Sequence, residues 1–366
     1  MKVRSLVRVL VAWVLMTDIA FGGGSYRVAI YYFPGWKDGV EGFLAREPWE
    51  KIKPFPDREP LLGWYNEADP AVMAQHLKWM RSYSIDTVIF DWYWQETDKP
   101  FLDHAINNYL SLPDHQGVGF SILWANHNRV PLTHEQFRRI VQLWITKYFS
   151  RPDYMREDGM PVVFLFSPEG LERSARQFGS SVPALLLEAQ AMARQSGLPG
   201  IFFVGNSSTA FGERSPANWG FSALTGYVYR KGFSGAIEPY PRNYSDMDAS
   251  YRRTWSWIVK NIDLPYFPAV VHGWDMRPWG GTPPQDSCCV SSPAQFGAHV
   301  SAALDLIERN PQKTRRTLIV CCWNEFGEGN YLEPTKKSGF AFLDALKSAL
   351  ATGGRAGVAL PGAVAP

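Results

Sequence analysis

The chain has 366 residues, 46% of them hydrophobic, and a formal net charge of +2 at pH 7. This length and composition supply ample material for a globular core, and a charge so close to neutral gives no reason to expect nucleic acid or an anionic membrane as a partner. Aromatic residues make up 14% of the chain and include 15 tryptophans, many of them beside Gly, Pro and Asn. Exposed aromatic faces stack on flat apolar ligand surfaces, including sugar rings.

The N-terminus has the three-part layout of a secretory signal peptide. Three basic residues stand within the first eight positions, the apolar run Val9–Met16 follows, and Ala20-Phe21-Gly22 supplies small residues at cleavage-site spacing. The apolar run is too short to span a bilayer. We therefore predict a signal peptide over residues 1–24 and a secreted or periplasmic mature chain without a membrane span. A disordered or interfacial N-terminus is the alternative.

Short apolar runs alternate with amphipathic stretches along the rest of the chain. Apolar runs without polar alternation are typical of strands that are buried on both faces of a parallel sheet. The predicted strands are Arg27–Tyr32, Thr87–Asp91, Val118–Trp124, Val162–Phe166, Ile201–Val204, Ser222–Tyr227, Phe267–Val271 and Thr317–Trp323.

Helical patterns lie between most of these strands. The first is the clearest, because Asp69 can cap a helix whose first turn contains Pro70 and whose apolar residues then keep to one face. The link after Ile201–Val204 has the weakest helical signal. The other predicted helices lie near Asp103–Leu110, His134–Tyr148, Val182–Gln195, Asp246–Ile262, Pro293–Glu308 and Ser338–Leu350.

Eight strand–helix units favour a single α/β domain, a (β/α)8 TIM barrel over residues 25–351 with long loops at the carboxyl ends of the strands. A doubly wound open sheet is the alternative. The Pro-rich stretch Lys37–Glu67 is too long for an ordinary connection and is either a lid over the site or a mobile excursion. The tail over residues 352–366, rich in Gly, Ala and Pro, is predicted to be disordered.

The four cysteines form two adjacent pairs, Cys288-Cys289 and Cys321-Cys322. In an exported protein a bridge between the two pairs is the expectation, although the sequence does not fix the partners. Metal chelation is disfavoured because no histidine spacing accompanies them.

In a barrel of this kind, the residues just past the strand ends form the active-site face. The candidate binding residues there are Tyr32, Asp91, Trp92, Trp124, Asn126, Tyr227, Trp274, Arg277, Trp279 and Asn324. Side chains of these types suit a polyhydroxylated ligand with flat apolar faces, so we predict a carbohydrate site with no metal and no cofactor. Structural alternatives stay open, since Asp91 can hold a loop, Arg277 can be a surface charge and His127 can bond a loop.

Glu325 and Glu328 are the candidate catalytic residues. They follow the apolar run Leu318–Trp323, and Glu328 stands between Gly327 and Gly329. Glycoside cleavage needs one protonated and one ionised carboxyl near the scissile bond, and repulsion between two carboxylates separates their pKa values. A three-residue spacing in a glycine-flanked turn can bring both carboxyls into one pocket, with an ordinary solvated loop as the alternative.

Four motifs resemble glycoside hydrolase family 99 and its larger family-99-like relatives, which include the WbsX-like proteins often described as glycosyltransferases. The motifs are YYFPGW (Tyr31–Trp36), FDWYW (Phe90–Trp94), RPW (Arg277–Trp279) and WNEFGEGNYLEP (Trp323–Pro334). The resemblance runs from about Tyr26 to Ala345, and its C-terminal motif is the most specific part.

The resemblance implies a (β/α)8 enzyme related to endo-α-1,2-mannosidases that retains anomeric configuration. It implies that Glu325 is the base that takes the proton of the sugar's own 2-hydroxyl, which closes onto the anomeric carbon to give a 1,2-anhydro sugar. It implies that Glu328 protonates the leaving oxygen and then acts as base on water. Among the binding candidates, Arg277 and Trp92 match sugar-binding positions of the family, and Tyr32 and Tyr227 match such positions less closely.

The chain departs from the mannosidase pattern at three places, which leaves the sugar open. The first-strand motif with Pro34 is more similar to the broader relatives. Phe326-Gly327 differs from the mannosidases' Trp-His, and Arg151 stands where a sugar-contacting histidine is expected. Three other functions also stay open: a glycosyltransferase, against which the export signal counts, a non-catalytic carbohydrate-binding barrel, and a lyase.

Overall fold

The computed structural model of the protein describes residues 26–40, 47–127, 130–206, 219–283 and 285–353. The predicted signal peptide and most of the predicted tail therefore lie outside the described residues. Across the described ranges, no helix has both the length and the apolar character needed to cross a membrane.

Eight parallel strands form a nearly closed barrel. They are β1 (Arg27–Tyr32), β2 (Thr87–Trp94), β3 (Gly119–Trp124), β4 (Met160–Leu165), β5 (Phe202–Asn206), β6 (Ala223–Thr225), β7 (Ala269–Val271) and β8 (Thr317–Cys321). Strands consecutive in the chain pair side by side, and β8 returns to β1 with Thr317 opposite Arg27. A parallel bridge between Leu224 and Tyr266 joins β6 to the segment before β7. The predicted TIM barrel is confirmed, and the open sheet is excluded.

Helices surround this wall. They are α1 (Pro70–Ser82), α2 (His104–Ser111), α3 (His134–Leu143), α4 (Pro168–Gln177), α5 (Val182–Gln195), α6 (Tyr244–Asn261), α7 (Pro293–Arg309), α8 (Pro311–Thr314) and α9 (Ala341–Gly353). Asp69 caps α1 by accepting a hydrogen bond from the Ala71 amide at 2.9 Å, as predicted. The predicted disordered tail starts too early, because α9 continues to Gly353. The weak link after β5 falls mostly on residues 207–218, outside the described residues.

A segment that we call the strap, residues 47–67, packs across the carboxyl ends of the strands. Trp49 in the strap stacks on Trp36 with ring centroids 4.0 Å apart, and Ile52 and Tyr65 are buried in the same small apolar cluster. This cluster also contains Phe326, which lies between the two candidate catalytic glutamates in the sequence. The described part of the long Pro-rich stretch is thus a packed cover, which agrees with the lid interpretation.

The cysteines pair within each adjacent pair. Disulfides join Cys288 to Cys289 and Cys321 to Cys322. The expectation of a bridge between the two pairs is therefore wrong, because the sulfur of each cysteine is bonded to that of the adjacent cysteine.

Candidate active site

A cavity of about 330 Å³ opens at the carboxyl ends of the strands. Its lining residues are Phe33, Lys51, Asp91, Tyr93, Ala125, His127, Phe166, Tyr227, Trp279, Glu325 and Glu328. They come from the segments that follow β1, β3, β4, β6, β7 and β8, from β2 itself and from the strap. The strand ends therefore converge on one cavity with carboxyl and aromatic walls, as parallel barrels generally arrange their sites.

A tight turn after β8 brings both glutamates to this cavity. The short strand Asn324–Glu325 pairs antiparallel with Asn330–Tyr331, and a single 3₁₀ turn over Phe326–Glu328 connects them. Gly329 ends that turn with φ of +65°, a conformation that favours glycine. A Cβ atom at Gly327 would lie 1.8 Å from the Trp279 ring. Glycine at position 327 therefore lets the Trp279 ring pack directly against the turn.

The Tyr227 hydroxyl lies between two carboxyl groups. It is 3.0 Å from Glu325 Oε1 and 3.1 Å from Asp91 Oδ2. All three side chains are buried. Asp91 of β2 is thus linked through one hydroxyl to Glu325 in the segment that follows β8.

Burial raises the pKa of all three carboxyls at the site. It raises the pKa of Glu328 to about 7, against the opposing effect of the Arg230 charge. Burial, followed by the charges of Glu328 and Asp91, raises the pKa of Glu325 well above its usual value. Burial and then the charge of Glu328 act in the same direction on the pKa of Asp91. The cluster therefore retains protons at neutral pH, because three ionised carboxyls in one desolvated cavity repel each other.

Asn324 fixes the start of the turn that carries Glu325. Its Oδ1 accepts a hydrogen bond from the Phe33 amide at 2.8 Å, and its Nδ2 donates to the Phe33 carbonyl at 2.9 Å and to Glu67 Oε1 at 3.3 Å. The Trp36 indole donates to the Asn324 carbonyl at 2.9 Å. The end of β1 and the strap thus hold the backbone next to Glu325 in place.

A family model described as Glycosyltransferase WbsX matches residues 55–346, which is well over half of the chain. The chain belongs to the WbsX family. Two curated relatives, each called uncharacterized protein WxcX, come from two strains of Xanthomonas campestris pv. campestris and are 20% and 21% identical over 317 residues. Each match covers 79% of this chain but only 42% of the relative, so the chain spans less than half the length of these curated relatives.

Solved structures share the barrel of this WbsX-family protein. An endo-alpha-mannosidase of glycoside hydrolase family 99 from Bacteroides thetaiotaomicron has a TM-score of 0.65 at 14% identity, covering 91% of this chain and 98% of its own. A glycoside hydrolase-like protein has the same TM-score and identity, with 90% and 94% covered. A family 5 enzyme, GH5_18 from Streptomyces cattleya, has a TM-score of 0.53 at 12% identity, with 93% and 82% covered. At these identities the similarity establishes the fold.

Six predicted site residues of the WbsX-family protein lie in or directly behind the cavity. Five of them line it, and Asn324 lies behind it as a support for Glu325. The lining residues among them are Asp91, Tyr227, Trp279, Glu325 and Glu328.

Trp92 and Trp124 lie on the other side of the barrel wall. Their rings pack edge-on against Trp144, the residue that follows α3, with centroids 5.7 and 5.3 Å away. The Trp92 indole donates to the Tyr148 hydroxyl at 3.1 Å. Neither ring lines the cavity, and both pack between the strands and the helix layer.

Tyr32, Asn126 and Trp274 are also buried outside the cavity lining. The Tyr32 hydroxyl contacts His76 Nδ1 at 3.1 Å. Asn126 joins the ends of β3 and β4 by bonding both the amide and the carbonyl of Ser167 at 2.7 Å. The Trp274 ring lies under the Arg230 guanidinium, 5.2 Å from its centroid.

Arg277 lines a second cavity, of about 320 Å³, whose walls also include strap residues 54–58 and Gly329 at the end of the turn after β8. Its guanidinium binds the Asp275 carboxylate, and half of its side chain is exposed. Arg58 of the strap binds the same carboxylate from the buried side.

Tyr93 is the lining residue that the sequence could have supplied. Side chains alternate across a strand, so a strand that turns Asp91 toward the cavity turns Tyr93 there as well and Trp92 away from it. Lys51 carries no such signal, because it lies in the irregular strap. Its Nζ lies 5.9 Å from the Trp279 ring centroid.

The segment containing Arg151 lies away from the site. Tyr154, three residues later, bridges to Phe120 near the amino end of β3. Arg151 therefore does not take the place of a sugar-contacting histidine. Across the described ranges, no group of three or more His, Cys, Asp or Glu side chains is arranged to hold a metal ion.

Proposed function

We propose that this protein is a glycoside hydrolase that cleaves a glycosidic bond in a polysaccharide or glycan with retention of configuration. The observation that carries the proposal is the turn after β8, which presents Glu325 and Glu328 to one cavity, where the pKa of Glu328 is raised to about 7. A carboxyl with that pKa can be a proton donor at neutral pH, which ordinary glutamates cannot. We also propose, from the predicted signal peptide over residues 1–24, that the protein acts outside the cytoplasm.

Glu328 is the acid in this proposal. Its Oε2 is buried and has no hydrogen-bond partner within the described part of the chain, which favours the neutral carboxyl over the carboxylate. The protonated carboxyl gives its proton to the glycosidic oxygen as the bond to the anomeric carbon breaks. The resulting carboxylate then takes a proton from the water that attacks the anomeric carbon.

Glu325 is the base. Its carboxylate accepts the proton of the sugar's 2-hydroxyl, and the freed oxygen pair forms the bond to the anomeric carbon, giving a 1,2-anhydro sugar. When water opens this ring, the 2-oxygen takes its proton back from Glu325. Two successive displacements at the anomeric carbon give overall retention, and no covalent bond to the protein is formed.

Aromatic side chains complete the proposed binding site. The walls contributed by Tyr93, Phe166 and Trp279 offer apolar faces of the kind on which sugar rings stack. Lys51 adds a hydrogen-bond donor at the strap side of the cavity.

A glycosyltransferase is the second candidate, because the family model carries that description. Transfer would use the same acid–base pair but would need an activated donor sugar and a hydroxyl acceptor in place of water. The predicted export signal favours hydrolysis, since nucleotide-sugar donors are intracellular.

The test incubates wild type, Glu328→Gln and Glu325→Gln with a panel of polysaccharides, and identifies the products by mass spectrometry. An α-mannan belongs in the panel because a structural neighbour is named as an endo-alpha-mannosidase. We expect fragments from wild type and a loss of at least ~100-fold in rate in both variants. Glu169→Gln, which changes an exposed glutamate in the first turn of α4, is the matched control. Sugar transfer from a nucleotide donor, with no fragments from any glycan, would overturn the hydrolase in favour of the transferase.

A further inference from the structure

The contacts of Tyr227 fix the number of protons in the carboxyl cluster. A phenol has one proton to donate, yet its oxygen is within hydrogen-bonding distance of two carboxyl groups, Asp91 at 3.1 Å and Glu325 at 3.0 Å. Both contacts are hydrogen bonds only if one of the carboxyls is protonated and donates to the Tyr227 oxygen. One of the two carboxyls is therefore neutral and the other is the acceptor.

The surroundings of the remaining carboxyl oxygens identify which one is neutral. Asp91 Oδ1 is buried and has no hydrogen-bond partner among the described residues. Neither oxygen of Glu325 is both buried and without a hydrogen-bond partner in this way. Because a carboxylate spreads its charge over both oxygens, an ionised Asp91 would leave half of its charge without water or a donor. The neutral state thus belongs to Asp91 and the negative charge to Glu325.

We propose that Asp91 holds a proton at neutral pH and donates it to the Tyr227 oxygen, so that Tyr227 donates to Glu325 and keeps the cluster's charge there. Asp91 is then a positioning residue that acts through Tyr227. The protonation of Asp91 is inferred from the contacts alone. Its effect on Glu325 as a base rests on the proposed function.

The other polar groups near Asp91 are consistent with this arrangement. Tyr93 follows it on β2, Glu328 faces it from the turn after β8, and Lys51 and His127 line the same cavity. Across the described ranges, Asp91 makes no ion pair within 4.0 Å with Lys51 or any other basic group. Tyr31 packs against the Tyr227 ring at 4.9 Å and donates its hydroxyl to Asn206 at 3.3 Å, so it does not supply Asp91 with a donor. No cation therefore holds Asp91 in its ionised form.

Infrared spectroscopy of the resting protein tests the proton directly and needs no substrate. At pH 7 we expect two carbonyl stretches of protonated carboxyls: one from Glu328, identified by its loss in Glu328→Gln, and one from Asp91. The Asp91 band should be lost in Asp91→Asn and shifted in Tyr227→Phe, which removes its hydrogen-bond acceptor. Asp248→Asn is the control, because His299 and Arg252 lower the pKa of Asp248 and keep it ionised. The proposal would be overturned if wild type lacked the Asp91 band, or if that band were unchanged in both Asp91→Asn and Tyr227→Phe. The Tyr227→Phe measurement decides the matter if Asp91→Asn does not fold.

The pH profile of kcat/KM then tests the positioning role. Tyr227→Phe removes the hydrogen bond that favours ionised Glu325, so the acidic limb is expected to move to higher pH. Asp91→Asn keeps a neutral donor, so the limb is expected to stay in place and kcat/KM to exceed that of Asp91→Leu at least tenfold. If Asp91 were ionised, Asp91→Asn would remove a negative charge beside Glu325 and the limb would move to lower pH. Such a shift would contradict the proposal.

Tyr229→Phe is the matched control for Tyr227→Phe. It removes one buried hydroxyl from the same segment, and that hydroxyl contacts the Tyr266 hydroxyl at 3.0 Å and no carboxyl of the described residues. The two experiments separate two kinds of failure. A carboxyl band at Asp91 without any glycan cleavage overturns the proposed function alone, whereas cleavage without the band overturns the role of Asp91 alone.

Discussion

The burial of Glu328 lowers the stability of the folded protein at pH values where this carboxyl ionises. Its pKa of about 7 in the folded protein compares with 4.5 for an ordinary glutamate, and the cause is burial. The folded state therefore binds this proton more tightly than the unfolded chain does. Carboxyls kept in such surroundings are typical of functional sites, where stability is given up for chemistry.

Removing this carboxyl should make the protein's stability less dependent on pH. A group whose folded pKa is raised contributes stability that is fully present below about 4.5 and is lost as pH rises through about 7. The full loss at high pH is on the order of 3 kcal/mol. We expect the advantage of Glu328→Gln over wild type in the free energy of unfolding to grow between pH 5 and pH 8. Urea denaturation at pH 5 and pH 8 measures this difference in the free energy of unfolding, with Glu169→Gln as the control. If the stability of Glu328→Gln and of wild type changed in parallel with pH, the raised pKa of Glu328 would be contradicted.

At the level of single residues, the sequence predicts the carboxyl residues of the cavity better than its aromatic lining residues. Glu325 and Glu328 follow a buried strand in a glycine-flanked turn, so their position follows from local signals. The resemblance to family 99 favours Trp92 as a binding residue, whereas alternation along β2 favours Tyr93. Lys51 could not be predicted, because the 18 residues 33–50 separate it from the end of β1 and no strand or helix period in the sequence fixes its position.

The strap covers the carboxyl ends of the barrel strands and contributes Lys51 to the cavity. Arg58 anchors it by donating to the Phe326 carbonyl, to the Asp275 carbonyl at 3.1 Å and to the Asp275 carboxylate. Phe326 lies between the two candidate catalytic glutamates in the sequence, so this one buried guanidinium ties the strap to the turn after β8.

Replacing Arg58 by Met should loosen the strap and the turn together. Methionine keeps an apolar stem but removes the guanidinium donors from the Phe326 carbonyl and from buried Asp275, and we expect the free energy of unfolding to fall by about 2–4 kcal/mol. Amides of residues 47–67 should exchange faster with deuterium, and kcat/KM should fall at least tenfold. Lys53→Met is the matched control, since Lys53 is exposed and forms its ion pair with Glu47, another residue of the strap. Equal effects of the two substitutions would contradict the anchoring role.

The regular elements were predictable because their apolar periods are strong, and the exceptions have physical causes. All eight barrel strands appear in the sequence as buried runs, since neither face of such a strand meets water. α4 was missed because its ten residues are mostly polar and offer few apolar positions to reveal a period. The sequence does not decide whether the strap is a lid or a mobile excursion, because its packing depends on contacts with the segment after β1 and with the turn after β8, which is far away in the sequence.

For the whole molecule, the barrel brings distant segments together at one end. Asp91, Tyr227 and Glu325 belong to three different strand–loop units, and only closure of the ring places them within one hydrogen-bonded chain. This end of the barrel is where the proposed hydrolysis takes place, and α9 and the remaining helices support it from outside.

The measurement that tests the proposed chemistry most directly compares two substrates in the same variant. Once the panel has identified the sugar, kcat/KM of Glu328→Gln is measured on the natural glycan and on an aryl glycoside whose leaving group needs no proton. We predict a loss of at least ~1,000-fold on the glycan and less than ~10-fold in the cleavage of the aryl glycoside, because only the first needs an acid. Glu325→Gln should lose activity on both substrates. Equal losses of Glu328→Gln on the two substrates would contradict the assignment of Glu328 as the acid.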